Sequence, residues 1–236
     1  LYTLCAQFEI DALSPAKGAL RQGVIVDLAE RLAALHEFRG HDLRDATVRQ
    51  LQRRFRVDKP QAERVAEAAQ RLFMGAGLDS DLESPLETSN ELRWAAALHE
   101  VGLMVSHHDH HRHSAYLVAN VDAPGFSQSQ QRRLGTLVLG QRGGLRKLGP
   151  ELERAQTAWQ VLCLRLAVIE CHARGQVDAR GLKLRREKNE AHLVFSRRWA
   201  EEHPRTAYLL HEEANHWAKQ GTLRLNLAEG DLTDEA

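Results

Sequence analysis

A histidine and a carboxylate stand side by side at the end of an apolar predicted helix, as His99 and Glu100, with Gly102 close behind. A neutral imidazole beside a carboxylate suits a divalent metal that activates water for hydrolysis. A complete site of that kind needs another histidine upstream and an aspartate on a later helix. His41 is available upstream, but the later apolar helix carries Val168 where the aspartate is wanted. Glu100 is also one methylene longer than aspartate.

This pattern predicts a degenerate helical scaffold of the HD phosphohydrolase type that has lost its metal. His99 and Glu100 are its candidate metal ligands, yet we expect no metal in this chain. Two alternatives stay open. One is an HD-type metal phosphohydrolase that is active by itself, and the other is a structural role for His99 as a buried histidine that donates to a backbone carbonyl.

A histidine-rich run follows within a few residues. Its side chains are His107, His108, His110, His111, Arg112 and His113. Three interpretations are open: a solvated loop, a nickel or zinc site formed by His107, His110 and His111, and an anion-binding edge next to a helix that begins near Ser114. The candidates for binding an anionic substrate are His107, His111, Arg112 and His113.

A basic stretch lies between Asp122 and Glu151, where no acidic residue occurs. Its cationic residues are Arg132, Arg133, Arg142, Arg146 and Lys147. Guanidinium groups bind phosphate oxygens in a bidentate manner and lysine adds a point charge, so Arg142, Arg146 and Lys147 are also candidate substrate-binding residues. The alternative is a basic loop that merely contacts solvent.

The composition excludes several classes of protein. The chain has 236 residues with 32 Lys and Arg against 32 Asp and Glu, so no chain-wide basic field would attract nucleic acid. Few aromatic residues accompany the basic stretch, which also argues against a nucleic-acid partner. No apolar run approaches the ~20 residues that span a bilayer. Three cysteines without a CxxC pair indicate a reducing, cytoplasmic compartment, and there is no nucleophile, Walker or dinucleotide motif.

The hydrophobic pattern predicts a mainly α protein in three parts. Residues 1–28 predict an α-β-α fragment, with a strand at 11–14, which is too small to fold alone. Residues 29–176 predict a helical domain, and residues 177–236 predict a small α+β domain of three strands and one helix. The first residue is Leu1 and not Met, from which we expect a piece of a longer chain.

Several segments together resemble one known family. They are Leu92–Leu103 (LRWAAALHEVGL), His111–Leu117 (HRHSAYL), Pro124–Phe126 (PGF), Gly18–Val24 (GALRQGV) and Arg39–Arg44 (RGHDLR). They are similar to the C-terminal half of bacterial exopolyphosphatases, a family that also contains the guanosine pentaphosphate phosphohydrolases. Gln22 departs from the glutamate that is usual in the family.

This resemblance implies that catalysis and substrate binding lie in different parts of the full-length protein. Full-length members carry an active site with magnesium and an acidic base in two actin-like domains, of which only a remnant would be present at residues 1–28. It implies no catalytic residue and no cofactor in this chain. What remains would bind inorganic polyphosphate in a basic channel and form a homodimer. The full-length enzyme would release orthophosphate processively, in the cytoplasm or peripherally at the inner face of the membrane, while this portion alone would be inactive.

The subgroup is left open by the same resemblance. The segment His111–Tyr116 is closer to exopolyphosphatases, which we favour. Gln141 stands where many exopolyphosphatases have a histidine, and a glutamine there is similar to the pentaphosphate hydrolases. The alternative is therefore the same portion of a guanosine pentaphosphate phosphohydrolase.

Overall fold

A computed structural model of the chain describes residues 2–9, 12, 24–25, 42–78, 84–175, 178, 181–188 and 190–230. It divides into two units, Leu1–Leu43 and Arg44–Ala236. In the first unit, helix α1 spans Tyr2–Gln7, and residues 24–25 are helical. The predicted strand at 11–14 lies outside the described residues except for Ala12. The actin-like remnant and the predicted boundaries at 28/29 and 176/177 stay predictions.

The second unit is mostly helical, as its sequence pattern predicted. Its first helices are α2 (Leu43–Arg54), α3 (Lys59–Gly75) and α4 (Pro85–Ala97), followed by a 3₁₀ turn at Val101–Met104. Then come α5 (His110–Asn120), α6 (Gln128–Gly140), a second 3₁₀ segment at Leu145–Glu153, and α7 (Ala155–Glu170). No helix of the described residues is long and apolar enough to cross a membrane.

Local sequence signals explain where these helices begin. The Asp58 side chain accepts a hydrogen bond from the Gln61 amide, and Pro60 occupies the first turn of α3, where its missing N–H costs nothing. Ser127 and Gln130 form a reciprocal capping box at the start of α6. Helix α7 is buried on nearly all sides, as its apolar sequence predicted.

A three-stranded sheet follows, formed by β1 (Lys183–Glu187), β2 (Glu190–Phe195) and β3 (Arg224–Glu229) in the order β1-β2-β3. Strands β1 and β2 are antiparallel, whereas β2 and β3 are parallel. A parallel pair needs a long crossover, and here α8 (Arg197–Glu202) and α9 (Pro204–Gln220) supply it. The sequence predicted one helix here, so the short α8 was missed.

The sheet and the helices share one apolar core. Leu184, Leu193 and Trp217 of the C-terminal part belong to the same buried cluster as the α4 and α7 side chains. Arg71 of α3 joins the two parts, because it pairs with Glu170 at 2.6 Å and donates to the Leu182 carbonyl at 2.7 Å. Helix α9 packs against α7, and residues of both helices line the cleft beside the His99–Glu100 turn.

Candidate functional site

A cleft of about 510 Å³ lies between the His99–Glu100 turn, the end of α7 and helix α9. Its polar lining comprises Gln61, His99, Glu100, His110, Gln141, Arg142, Arg165, His172, Arg174, Arg205, Glu212, Glu213 and His216. Its remaining lining residues are Gly143, Val168, Ile169 and Leu209. Val168, which stands where a metal-binding aspartate was wanted, therefore lies in this same cleft.

His99 is a structural residue at the floor of the cleft. Its side chain is only 2% exposed, and its Nδ1 lies 2.6 Å from the carbonyl oxygen of Ala96. Since that oxygen can only accept, Nδ1 carries the proton. The His99 carbonyl in turn accepts from the Ser114 hydroxyl and the Gln141 amide. Burial lowers the pKa of His99 to about 4, so the ring is neutral, which confirms the interpretation as a buried histidine that donates to a backbone carbonyl.

Glu100 is held by a guanidinium. Its Oε1 accepts from Arg174 at 2.6 Å, and Arg174 also pairs with Asp58 at 2.7 Å. Burial raises the pKa of Glu100, and the charge of Arg174 opposes that rise. Its other oxygen, Oε2, is buried without a hydrogen-bond partner among the described residues.

The side chains of the two candidate metal ligands approach each other with His99 Nε2 at 3.9 Å from Glu100 Oε1. Within the part of the chain that the structure describes, no set of three or more His, Cys, Asp or Glu side chains is arranged to hold a metal ion. At the His99–Glu100 turn, Arg174 supplies a positive charge beside the Glu100 carboxylate.

The histidine-rich run enters a helix earlier than predicted. Helix α5 begins at His110, after Asp109 in the left-handed conformation with φ 53°, and not near Ser114. His107 is exposed, whereas His110 and His111 are buried. Burial, with Arg142 near His110 and Lys147 near His111, lowers the pKa of each ring to about 4.

Both buried imidazoles are therefore neutral at pH 7, so they can offer N–H donors to an anion but no positive charge. The other two predicted residues of the run differ in exposure: Arg112 is exposed, and its Nε lies 3.6 Å from Asp109. His113 is half-buried and packs against Gly102.

The basic stretch separates into structural and exposed charges. Arg133 of α6 pairs with the buried Glu91 of α4 at 2.7 Å and so connects these two helices. Arg142 and Arg146 are exposed on the turn after α6 and on the following 3₁₀ segment. Lys147 donates from Nζ to the Arg142 carbonyl.

Several of the predicted cations gather at the turn around Gly143. A side-chain Cβ at Gly143 would lie 3.4 Å from Lys147 Nζ and 3.9 Å from His111 Nε2. Burial and then the charges of Arg165 and Arg112 lower the pKa of Lys147 to about 8. Burial is the larger cause of this lowered pKa, and the neighbouring guanidinium groups add to it while Asp109 opposes it.

Comparison with known proteins identifies the scaffold. Residues 43–214 match the family model described as Ppx/GppA phosphatase, domain III. The chain belongs to the Ppx/GppA phosphatase family. The match to Ppx/GppA phosphatases covers every lining residue of the cleft except His216, and it confirms the resemblance to that family.

Individual relatives cover most of this Ppx/GppA chain. A "Guanosine-5'-triphosphate,3'-diphosphate pyrophosphatase" of Vibrio atlanticus is 34% identical over 209 residues, which are 88% of this chain and 41% of the relative. Proteins with the same name from Pseudoalteromonas translucida and Vibrio cholerae are each 31% identical, over 94% and 91% of this chain and 44% and 43% of theirs. The chain thus spans less than half the length of these relatives.

Sequence reasoning missed part of this Ppx/GppA cleft. Arg174, Arg205 and His216 line it from positions that are remote in sequence from the His99–Glu100 turn. Arg165 was also missed, although one local signal pointed to it, since it is the only charged residue between Ala155 and Ile169 of the apolar helix α7. Its guanidinium forms a fully buried bidentate pair with Glu213 of α9, at 2.5 and 2.6 Å.

The same arginine shapes the turn that carries Arg142. Arg165 donates to the carbonyl oxygens of Gly140 and Gly143, at 2.8 and 3.0 Å. The buried Arg165–Glu213 pair therefore connects three walls of the cleft: helix α7, helix α9, and the turn after α6.

Proposed function

We propose that this chain is the C-terminal, substrate-binding portion of an exopolyphosphatase of the Ppx/GppA family. In this proposal the full-length protein releases orthophosphate processively from inorganic polyphosphate. The catalytic step and its magnesium belong to the part of the relatives that this chain does not match, so we expect the chain alone to be inactive.

The observation that carries the proposal is the gathering of positive charge at the Gly143 turn. Lys147 donates there to the main-chain carbonyl of Arg142, Arg112 adds to the local field, and Arg146 is exposed on the adjacent segment. Guanidinium and ammonium groups so placed can contact several phosphates of one linear polyanion. Each exposed contact is weak and screened by salt, but contacts on one chain add through effective concentration.

His107, His111 and His113 would contribute to the same binding surface in a different way. His111 is neutral and can donate one N–H to a phosphate oxygen without adding charge. His107 and His113 lie in the preceding loop and in the first turns of α5. We therefore propose that the arginines and Lys147 supply the salt-sensitive part of the affinity.

Binding of labelled long-chain polyphosphate to the 236-residue chain, measured over a series of salt concentrations, tests the proposal. Replacing Arg142, Arg146 and Lys147 together by alanine should weaken binding and lower the slope of log affinity against log salt, by about one for each phosphate that the variant no longer binds. A matched control replaces three exposed arginines elsewhere, Arg132, Arg197 and Arg198, with the same change in net charge. Equal effects of the two triple variants would contradict a localised site.

A second candidate, the guanosine pentaphosphate phosphohydrolase, is favoured by two observations. The relatives from Vibrio and Pseudoalteromonas are named for a guanosine substrate. Position 141 carries a glutamine, and a glutamine there resembles the pentaphosphate hydrolases. The Gln141 side chain lines the cleft and is only 2% exposed. Turnover of polyphosphate and of guanosine pentaphosphate by the full-length protein, measured side by side, separates the two candidates.

We further propose that the portion self-associates into a homodimer in the cytoplasm, with peripheral association at the inner membrane face as the alternative location. Light scattering over a range of protein concentrations tests the dimer, and a constant monomer mass would contradict it.

A further inference from the structure

Lys147 is a half-buried lysine whose amine is held at the Gly143 turn by the main chain. Its Nζ donates to the Arg142 carbonyl, and a Cβ at Gly143 would lie 3.4 Å from this Nζ and 3.9 Å from Nε2 of the neutral His111. In the part of the chain that the structure describes, Lys147 forms no ion pair with a carboxylate. The amine therefore lacks the partner that most often keeps a lysine protonated.

Positive charge surrounds this amine from several elements. The guanidinium of Arg165, on helix α7, donates to the Gly143 carbonyl at 3.0 Å and so lies on the other side of the same turn. The cations whose charges act on Lys147 are Arg165, Arg112 and Arg142, and the opposing acidic group is Asp109. Because burial and these cations all disfavour the ammonium form, the pKa of Lys147 is lowered to about 8.

An amine in this setting is a nucleophile near neutral pH. A lysine that is partly desolvated and lies beside other cations loses its proton readily, and the neutral amine attacks electrophilic carbon. The hydrogen bond to the Arg142 carbonyl uses one N–H and leaves the lone pair of the neutral amine free. The surrounding guanidinium groups attract reagents that carry a phosphate. Together these properties favour an electrophile in which an acyl carbon is joined directly to phosphate.

We propose that Lys147 is a site of acylation by acyl phosphates, the mixed anhydrides of a carboxylic acid and phosphoric acid. The lone pair of Nζ forms the new C–N bond to the acyl carbon, and the C–O bond to phosphate breaks with its electron pair on the phosphate. The proton that leaves Nζ passes to solvent. The products are an amide on Lys147 and inorganic phosphate. Arg112 and Arg142, both exposed, are the groups that we expect to stabilise the departing phosphate.

Acylation would change the charge of the Gly143 turn, because an amide is neutral. This consequence rests on the proposed function, whereas the modification itself does not. A chain acylated at Lys147 should bind polyphosphate with a slope of log affinity against log salt that is smaller by about one. Acylation would then weaken binding of the polyanion without altering the catalytic part of the full-length enzyme.

Incubation of the 236-residue chain with acetyl phosphate at pH 7, followed by peptide mass spectrometry, tests the proposal. Lys59 of α3 and Lys219 of α9 are exposed and serve as internal references. We expect the initial rate of acetylation at Lys147 to be about tenfold higher than at either reference, because more of its amine is unprotonated and nearby cations concentrate the reagent. A rate at Lys147 that does not exceed the references overturns the proposal.

A second reagent separates recognition of the phosphate from reactivity of the amine. The N-hydroxysuccinimide ester of acetic acid transfers the same acetyl group but carries neither phosphate nor charge. The preference for Lys147 over the two reference lysines should therefore be at least about threefold smaller with this ester than with acetyl phosphate. An equal preference with both reagents would show a reactive lysine without phosphate recognition and would contradict the assignment to acyl phosphates.

A variant locates the phosphate recognition. Arg112→Gln combined with Arg142→Gln should lower the rate at Lys147 about fivefold and leave the reference lysines unchanged. The matched control, Arg132→Gln combined with Arg197→Gln, removes two other exposed arginines and the same net charge. Equal rates at Lys147 in the two double variants contradict the proposal. Polyphosphate binding by the unmodified chain is measured separately, so its absence would overturn the proposed function without deciding the acylation.

Discussion

Replacing Arg165 by methionine should destabilise the chain by about 3–5 kcal/mol. The guanidinium and the carboxylate of Glu213 are each only 3% exposed. Methionine fills a similar volume but makes none of the four hydrogen bonds that Arg165 gives to Glu213 and to the carbonyls of Gly140 and Gly143. The Glu213 carboxylate would then be buried with only the indole N–H of Trp217, at 2.7 Å, to stabilise its charge.

The predicted loss of stability arises from breaking the buried Arg165–Glu213 pair, and a double-mutant cycle can measure the coupling between these two side chains. Glu213→Leu should cost a similar amount, because it leaves a buried guanidinium unpaired. The double variant Arg165→Met, Glu213→Leu should cost only about 2–4 kcal/mol, since no buried charge is left and only the Gly140 and Gly143 carbonyls and the Trp217 indole N–H lose a partner. A coupling of a few kcal/mol is therefore expected.

Urea unfolding at pH 7 is the assay, with the change read from the midpoint at constant slope. Arg197→Met is the control: this exposed arginine pairs with Glu201 on one face of α8, and its loss should change stability by less than about 1 kcal/mol. If the two buried substitutions were additive, or if Arg165→Met behaved like Arg197→Met, the assignment of this pair as a structural link between α7 and α9 would be wrong.

Close packing and buried histidines give two further predictions. Gly102→Ala should lower the unfolding midpoint markedly, because its Cβ would clash with the carbonyl oxygen of His110 and the backbone would have to move; an unchanged midpoint would refute the close approach. Stability should also fall below pH 6.5, because His99, His110 and His111 have pKa values of about 4 when folded and bind more protons when unfolded. The loss at pH 5 should be about 2 kcal/mol from His99 alone, measured by urea unfolding at pH 5 and pH 7 and partly offset by the raised pKa of Glu100.

Local sequence signals were enough for most elements of the fold. Apolar spacing located α3 and α7, and alternation located the strands, because these patterns report which face each element buries. The start of α5 was missed by four residues. The histidine-rich run at 110–113 carries no apolar periodicity, and its N-cap is an Asp109 in the left-handed conformation without a side-chain cap, so the first turn has no recognisable sequence signal.

The candidate site was only partly predictable, for two physical reasons. Burial makes His111 neutral, and the exposure of a single ring cannot be read from residue type. The cleft also depends on contacts between distant segments: Arg174 reaches Glu100 across 74 residues, and the β2–β3 crossover brings α9 and Arg205 to the same wall. Residue type and spacing identified the His99–Glu100 turn, whereas tertiary packing determined its partners.

The partner of Glu100 bears directly on the metal site that the sequence pattern of the His99–Glu100 turn suggested. A divalent ion at the His99–Glu100 turn would use the carboxylate and the imidazole as acceptors and leave an open position for water. Arg174 uses the same carboxylate, but it brings one positive charge and directed N–H groups in place of a Lewis acid. His99 meanwhile directs its proton to the carbonyl of Ala96. An apolar Val168 then costs nothing, because no metal ligand is needed at that position.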